Sequence, residues 1–399
     1  MSSGSSSPFR LRVEPSLASV PAAEWDACAL GSEPAGAPNP FVSHAFLLAL
    51  ELSGCTGGRS GWNPAHLLVE TAEGKLVAAA PCYLKTHSQG EYVFDHGWAD
   101  AFERAGGRYY PKLQISSPFS PVTGPRLLVR AGEQAAPARA ALIEGMKTVM
   151  QRLGASSVHI TFAAREEWEA LGGAGFLQRI DQQFHWANAN YASFEAFLDT
   201  LASRKRKNIR KERQTAVQNG ITIEQLTGSA ITEAHWEAFF RFYMDTSSRK
   251  WGRPYLNRAF FTEIGRTMAD RILLVIARRD GRPIAGAINL IGPDTLYGRN
   301  WGCIEDHPCL HFEVCYYQAI DFAIARGLAF VEAGAQGEHK LARGYMPATT
   351  YSAHFIGDPR LRRAIADYLD RERLHVEAMK EALTAEGPYR QAAGDREPS

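Results

Sequence analysis

Six cysteines are scattered over 399 residues, at 28, 55, 82, 303, 309 and 315, too few and too irregular for a disulfide framework. A reduced, cytoplasmic protein is therefore expected. No apolar run approaches the ~18–20 residues that span a bilayer, so no membrane span is expected. The polar start Met1-Ser-Ser-Gly-Ser-Ser-Ser-Pro8 lacks the basic and apolar regions of a secretory signal. An excess of one charge is also missing. The 44 Lys+Arg against 43 Asp+Glu, net +1, exclude a wholly basic nucleic-acid coat protein. The glycine-bearing stretch 332–344 matches neither the dinucleotide nor the P-loop spacing, so neither nicotinamide nor nucleoside-triphosphate chemistry follows from it. With 45% hydrophobic and 22% charged residues the chain is not a mostly disordered one, and its length suits two or three domains.

What is there reads as α/β. Residues 1–8 read as a disordered leader, and Phe9–Val13 alternates as a strand. A helix is predicted after Ser43, a hairpin over 66–80, a helix over 136–153 and a strand over 157–162. The order then repeats. A helix is expected from Phe194 to Asn219 with Gly220 after it, and an alternating strand over 221–226. Trp236, Phe239, Phe240 and Tyr243 recur at helical spacing. Asp280-Gly281 between two apolar runs signals a hairpin. A helix over 312–325 leads into Leu328–Glu332 as a strand. The expected division is a leader at 1–8, domains at 9–182 and 183–375, and a helical then disordered tail at 376–399.

Three stretches could carry chemistry. In Arg204-Lys-Arg-Lys-Asn-Ile-Arg-Lys-Glu-Arg213, seven of ten residues are basic and one is acidic, a local charge of +6. Like charges at i, i+4, as in Arg206/Arg210 and Lys207/Lys211, cost helix stability unless an anion relieves them. A solvated helix face is the plainer reading of such a run; a phosphate site explains the density better. The second stretch is Glu332-Ala-Gly-Ala-Gln-Gly-Glu-His-Lys-Leu-Ala-Arg-Gly344. Its small residues admit a ligand to the backbone, Glu332, Glu338 and His339 are potential bases, and Lys340 and Arg343 can hold anions. The third, Trp301 to Cys315, mixes Cys303, His307, Cys309, His311 and Cys315, which could ligate zinc but lack a Cys-x-x-Cys pair. At its C-terminal end, within the same helix, Glu313 and Tyr317 lie at i, i+4 and could meet one substrate beside Tyr316. Loops rich in Pro, Gly and aromatics at 109–112, 117–125, 183–186 and 250–255 suit either clefts or cores.

The sequence resembles the FemAB-like predicted N-acyltransferases of the GNAT superfamily. The resemblance rests on Asn39-Pro-Phe-Val-Ser-His-Ala-Phe46, Tyr109-Tyr-Pro-Lys-Leu113, Ser117-Pro-Phe-Ser-Pro-Val-Thr-Gly124 and Gln183-Phe-His-Trp186. It rests further on the 204–213 run, Leu310-His-Phe-Glu-Val-Cys-Tyr-Tyr317 and Glu332 to Lys340. It implies two tandem GNAT-like domains, each a mixed sheet flanked by helices. It also implies acyl transfer to an amine, in cell-envelope or peptidoglycan chemistry. Fem ligases take the aminoacyl group from aminoacyl-tRNA. Their late Phe-Lys-x-x-Phe-Gly motif is similar to His339-Lys-Leu-Ala-Arg-Gly344, with both aromatics lost. The glycine loop with which many GNAT enzymes hold the CoA pyrophosphate is missing, which counts against acetyl-CoA.

The site expected from these signals has Glu332 or Glu313 as base and Tyr316 or Tyr317 as acid. Lys340, Arg343, Gly344, His339, Gln336 and Glu338 would bind substrate, together with Arg204, Lys205, Arg206, Lys207 and Arg210. Tyr110, Lys112, His185 and Trp186 complete the expected lining. No tightly bound cofactor or metal is expected; acyl-CoA or aminoacyl-tRNA is the donor cosubstrate, and tRNA a partner. The competing reading is a polyanion- or tRNA-binding protein on a GNAT scaffold without catalysis.

Overall fold

The computed structural model describes residues 8–31, 36–249, 254–334 and 337–390, with the backbone alone of Glu338. Its strands are β1 (Phe9–Glu14), β2 (Trp62–Pro64), β3 (His66–Thr71), β4 (Leu76–Ala80), β5 (Cys82–Lys85), β6 (Lys112–Ile115), β7 (Leu128–Val129) and β8 (Ser157–Ala163). They continue as β9 (Leu177–Ala187), β10 (Ile221–Thr227), β11 (Ile272–Arg279), β12 (Arg282–Ile291), β13 (Thr295–Cys303), β14 (Phe330–Glu332) and β15 (Met346–Ile356). The helices are α1 (Ala22–Leu30), α2 (His44–Leu52), α3 (His96–Arg104), α4 (Ala135–Arg152), α5 (Arg165–Gly173), α6 (Phe194–Asp199), α7 (Ser203–Ala216), α8 (Glu233–Arg249) and α9 (Arg258–Thr267). Then come α10 (Leu310–Phe312), a π-helical turn (Glu313–Tyr317), α11 (Gln318–Arg326) and α12 (Pro359–Ala385).

The chain forms two units. The first comprises the described residues of Met1–Asp181, Arg253–Arg271 and Thr349–Val376, so two segments late in the sequence, including α9, pack with the N-terminal half. Its strands run in the orders β1-β3-β4-β7 and β2-β5-β6-β8-β15. Strands β4 and β8 are buried along their whole length, and α4 packs Leu142, Met146, Val149 and Met150 into the same core. Removing that much apolar surface from water holds this sandwich of sheet and helix together.

The second unit comprises the described residues of Gln182–Gly252, Ile272–Ala348 and Glu377–Ser399. Its strand order is β10-β11-β12-β13-β14-β9, antiparallel except between β13 and β14. The β11–β12 turn has Asp280 and Gly281 both at positive φ, as the Asp-Gly pair predicted. The buried stripe of α8 is Trp236, Phe239, Phe242 and Tyr243, with Phe242 in the place expected of Phe240. Gly302 lets α8 lie against β13, because a Cβ there would meet the Phe242 carbonyl oxygen at 2.2 Å. The helix expected over 194–219 is two helices. Leu201 sits between them in a backbone bridge to Tyr389, and the core claims its side chain.

Candidate active site

In the second unit β13 and β14 pair over only three residues, Thr295–Phe330, Leu296–Val331 and Tyr297–Glu332. Beyond Tyr297 β13 continues for six residues alongside β12 alone, and a bulge at Arg299 breaks that register as well. The separation leaves a cavity of about 90 Å³ whose lining includes Asn289, Asn300, Trp301, His311, Tyr316 and Ala333.

Tyr316, at the cavity wall, reaches His339 with an Oη–Nε2 distance of 2.9 Å. Burial pushes the Tyr316 hydroxyl above its ordinary value, and burial, then Arg343 and Lys340, pushes the His339 imidazolium down. The pair is thus a phenol that keeps its proton next to a neutral imidazole. Glu332, at the end of β14, lies across the ladder from His185, with an Oε1–Nε2 separation of 3.8 Å. Burial and the nearby Lys340 push His185 down to about 4. Lys340 is itself buried, donates to the Gly334 carbonyl at 2.9 Å and is pushed down to about 8 by burial.

Glu313 and Tyr317 do share a face, but it is turned to α7. The Glu313 carboxylate accepts from Arg213 at 2.9 and 3.1 Å and from Gln318 at 2.8 Å, while Tyr317 donates to Glu212. Arg343 is engaged as well: its guanidinium donates to both Glu212 oxygens at 2.8 and 3.1 Å and to the His339 carbonyl at 2.6 Å. Its plane rests 3.4 Å from the Phe312 ring centroid. Gly344 has φ +92 and ends the turn Glu338–Arg343; a Cβ there would meet the Phe197 ring at 2.6 Å. Trp186 is core, its ring tilted against Tyr191 and edge-on to Phe197. Gln336 and the Glu338 side chain lie outside the described residues.

The basic helix divides into two faces. Arg206 pairs with Asp199 at 3.4 Å and Arg210 with Glu195 at 2.5 Å, whereas Arg204, Lys207 and Lys211 form an exposed stripe at i, i+3, i+7. Lys205 is half-buried beside it. Among the described residues no cluster of three His, Cys, Asp or Glu side chains is arranged to hold a metal ion.

Tyr110 and Lys112 belong to the first unit. Lys112, fully buried, donates to Ser88 and Glu91 at 2.8 and 2.7 Å and to Asp95. Tyr110 Oη meets Ser88, and Lys85 stands opposite Lys112 in the β5–β6 ladder, its ammonium 3.7 Å from the Trp62 ring centroid. Tyr109 donates to Asp95 at 2.7 Å, and His159 and His354 meet at 2.7 Å. This network joins opposite charges in a buried cluster of the first unit. Sequence reading missed Lys85, Glu91, Asp95, His159 and His354, because their spacing has no local period. It also missed Glu212 and Asn289, for which the only signals were an isolated acid in a basic run and a polar residue in an apolar strand.

Among the described residues no helix is long and apolar enough to cross a membrane. In fold the chain is similar to the crystal structure of FemX, at 12% identity over 87% of this chain and 98% of that one, with a TM-score of 0.54. It is also similar to a conserved protein of unknown function from Bacteroides thetaiotaomicron VPI-5482, at 11% identity over 87% and 100%, TM-score 0.50. A tandem GNAT protein from the clavulanic acid biosynthesis pathway aligns at 12% identity over 88% and 99%, TM-score 0.47. At such identities these likenesses bear on the fold alone, and the first two agree with the mixed α/β architecture expected from the sequence. No curated protein matches the sequence. Residues 16–391 match the family described as peptidoglycan biosynthesis/recognition, and the chain therefore belongs to the FemAB-like family.

Proposed function

We propose that the chain is an N-acyltransferase that moves a small aminoacyl group from aminoacyl-tRNA to an amine of a peptidoglycan precursor. Family membership and fold support acyl or aminoacyl transfer in general. The observation that carries the finer reading is the cavity at the β13–β14 splay with Tyr316 on its wall, its hydroxyl bonded to His339. A cavity of about 90 Å³ admits only a small group, which suits a small aminoacyl group.

In the reaction the acceptor amine forms the new N–C bond and the ester C–O bond of the donor breaks. The splayed β13 backbone offers N–H donors to the oxyanion that develops between the two steps. Neutral His339, or Glu332 at the end of β14, takes the proton from the amine. Tyr316 gives a proton to the departing ester oxygen. Glu313 and Tyr317 are held by α7 and have no part in this assignment. The tRNA donor is favoured over acyl-CoA because the sequence lacks the glycine loop with which many GNAT enzymes hold the CoA pyrophosphate. The exposed stripe Arg204, Lys207 and Lys211 suits a phosphodiester backbone.

The test is transfer of radiolabelled amino acids from bulk charged tRNA to a nucleotide-linked peptidoglycan precursor by the purified protein, with labelled acetyl-CoA in parallel. Labelled precursor from tRNA alone is the expected result. Label from acetyl-CoA alone refutes the donor. tRNA binding with no transfer to any amine favours the non-catalytic alternative.

A further inference from the structure

Glu212 is the one acidic residue in the run 204–213, and it occupies the inner face of α7 together with Arg213. Both grip the helical segment that carries the cavity wall. Arg213 clamps Glu313, the first residue of the π turn, and also donates to Asp321 on α11 at 2.6 Å. Glu212 accepts from Tyr317, the last residue of that turn, and holds the Arg343 guanidinium with both oxygens. Arg343 in turn donates to the backbone carbonyl of His339, whose ring meets Tyr316 within the turn. A π turn widens the helix by one residue and tends to mark functional sites. Here its two ends are tied to α7 while the residue between faces the cavity.

We propose that Glu212 is a positioning residue of the transfer site, fixing the His339–Tyr316 pair through Arg343 and Tyr317. This rests on the transferase reading above. The carboxylate does not touch substrate; it neutralises Arg343 and sets that guanidinium between Phe312 and the His339 carbonyl. A bidentate arginine–carboxylate pair gives geometric specificity that a single point contact does not. A Gln at 212 keeps the shape but cannot accept two charge-assisted bonds from Arg343. The His339 carbonyl then loses its fixed donor, and the imidazole loses its place relative to Tyr316.

The test pairs kinetics with a readout that needs no turnover. Glu212→Gln and Glu212→Asp are compared with the native chain by transfer kinetics and by 15N NMR of the histidine side chains, with His339 assigned through His339→Gln. The expected result for Glu212→Gln is a kcat lowered about 10- to 100-fold, a donor KM within about twofold, and a displaced, broadened His339 Nε2 resonance. Glu212→Asp, which keeps the charge, recovers most of kcat and the native resonance. An unchanged His339 resonance in Glu212→Gln overturns the proposal, whatever happens to kcat, as does a loss carried by KM alone. If Glu212→Gln does not fold, Glu212→Asp still decides: a native-like His339 resonance supports positioning by charge, and a lost one refutes it. If the native protein transfers no amino acid, the reaction assignment fails, while the NMR comparison still tests the link from Glu212 to His339.

Discussion

Replacing Lys85 by Met tests the electrostatic account of the first unit most directly. Lys85 and Lys112 are partners across the β5–β6 ladder, and both are fully buried. Like charges directly opposite repel, and the surrounding loop answers with Glu91 and Asp95. Those acids favour Lys112, which stays above its ordinary range although burial pulls it down. Lys85 receives less: one bond to the Gln89 carbonyl at 3.1 Å and Glu91 at 3.7 Å. Burial pushes it down to about 7, from 10.5 in the free side chain. Between those two values the unfolded chain holds a proton that the folded chain has released, so this group raises stability as pH rises from about 7 towards 10.5. Below pH 7 it is charged in both states, and its desolvation penalty is fully present. From pH 7 to 9.5 the gain is roughly 3 kcal/mol at ~1.36 kcal/mol for each pH unit. Met fills a similar volume beside Trp62 and carries no charge. Urea unfolding of the native chain and Lys85→Met at pH 6.5, 8 and 9.5 measures the effect. The variant should be more stable at pH 6.5, and its advantage should shrink as pH rises. Because Lys340 and the other titrating groups occur in both proteins, the difference isolates Lys85. A difference independent of pH refutes the assignment of a deprotonating, under-compensated lysine.

Four further outcomes follow from the site. Tyr316→Phe should lower kcat about 10²- to 10⁴-fold with the fold intact, as removal of a general acid does, measured by label transfer alongside circular dichroism. Glu332→Gln and Lys340→Ala should each lower transfer without unfolding the chain; full activity in both would refute their inclusion. Gly344→Ala should cost at least 1 kcal/mol, since φ is +92 and Phe197 blocks the Cβ, and thermal denaturation reads it directly. Reversing Arg204, Lys207 and Lys211 to Glu should weaken tRNA binding and flatten its salt dependence. Reversing Arg206 and Arg210, whose charges Asp199 and Glu195 already answer, should do so less.

Much of this was legible along the chain, because its causes are local. Apolar alternation and helical spacing marked β10, α4 and α8, and the Asp280-Gly281 pair marked the β11–β12 turn through its positive φ values. The basic run and the stretch 332–344 stood out by composition alone. Other features depend on which residues meet. Glu313 and Tyr317 sit at i, i+4 on one helix, which the sequence states; that the shared face meets Arg213 and Glu212 rather than a substrate depends on where α7 lies. The +6 run likewise could not reveal that Arg206 and Arg210 are neutralised by Glu195 and Asp199, residues up to fifteen positions away. The break at Leu201 is a tertiary matter too, made by a core that buries it and a strand bridge to Tyr389. By itself, then, the sequence determined which elements form and where chemistry is dense, since hydrophobic period and turn stereochemistry act over a few residues. Only the tertiary structure decided which charged groups are paired and which face a cavity, because ion pairing and burial depend on spatial distances that no local period encodes, from Arg210–Glu195 to Arg343–Glu212.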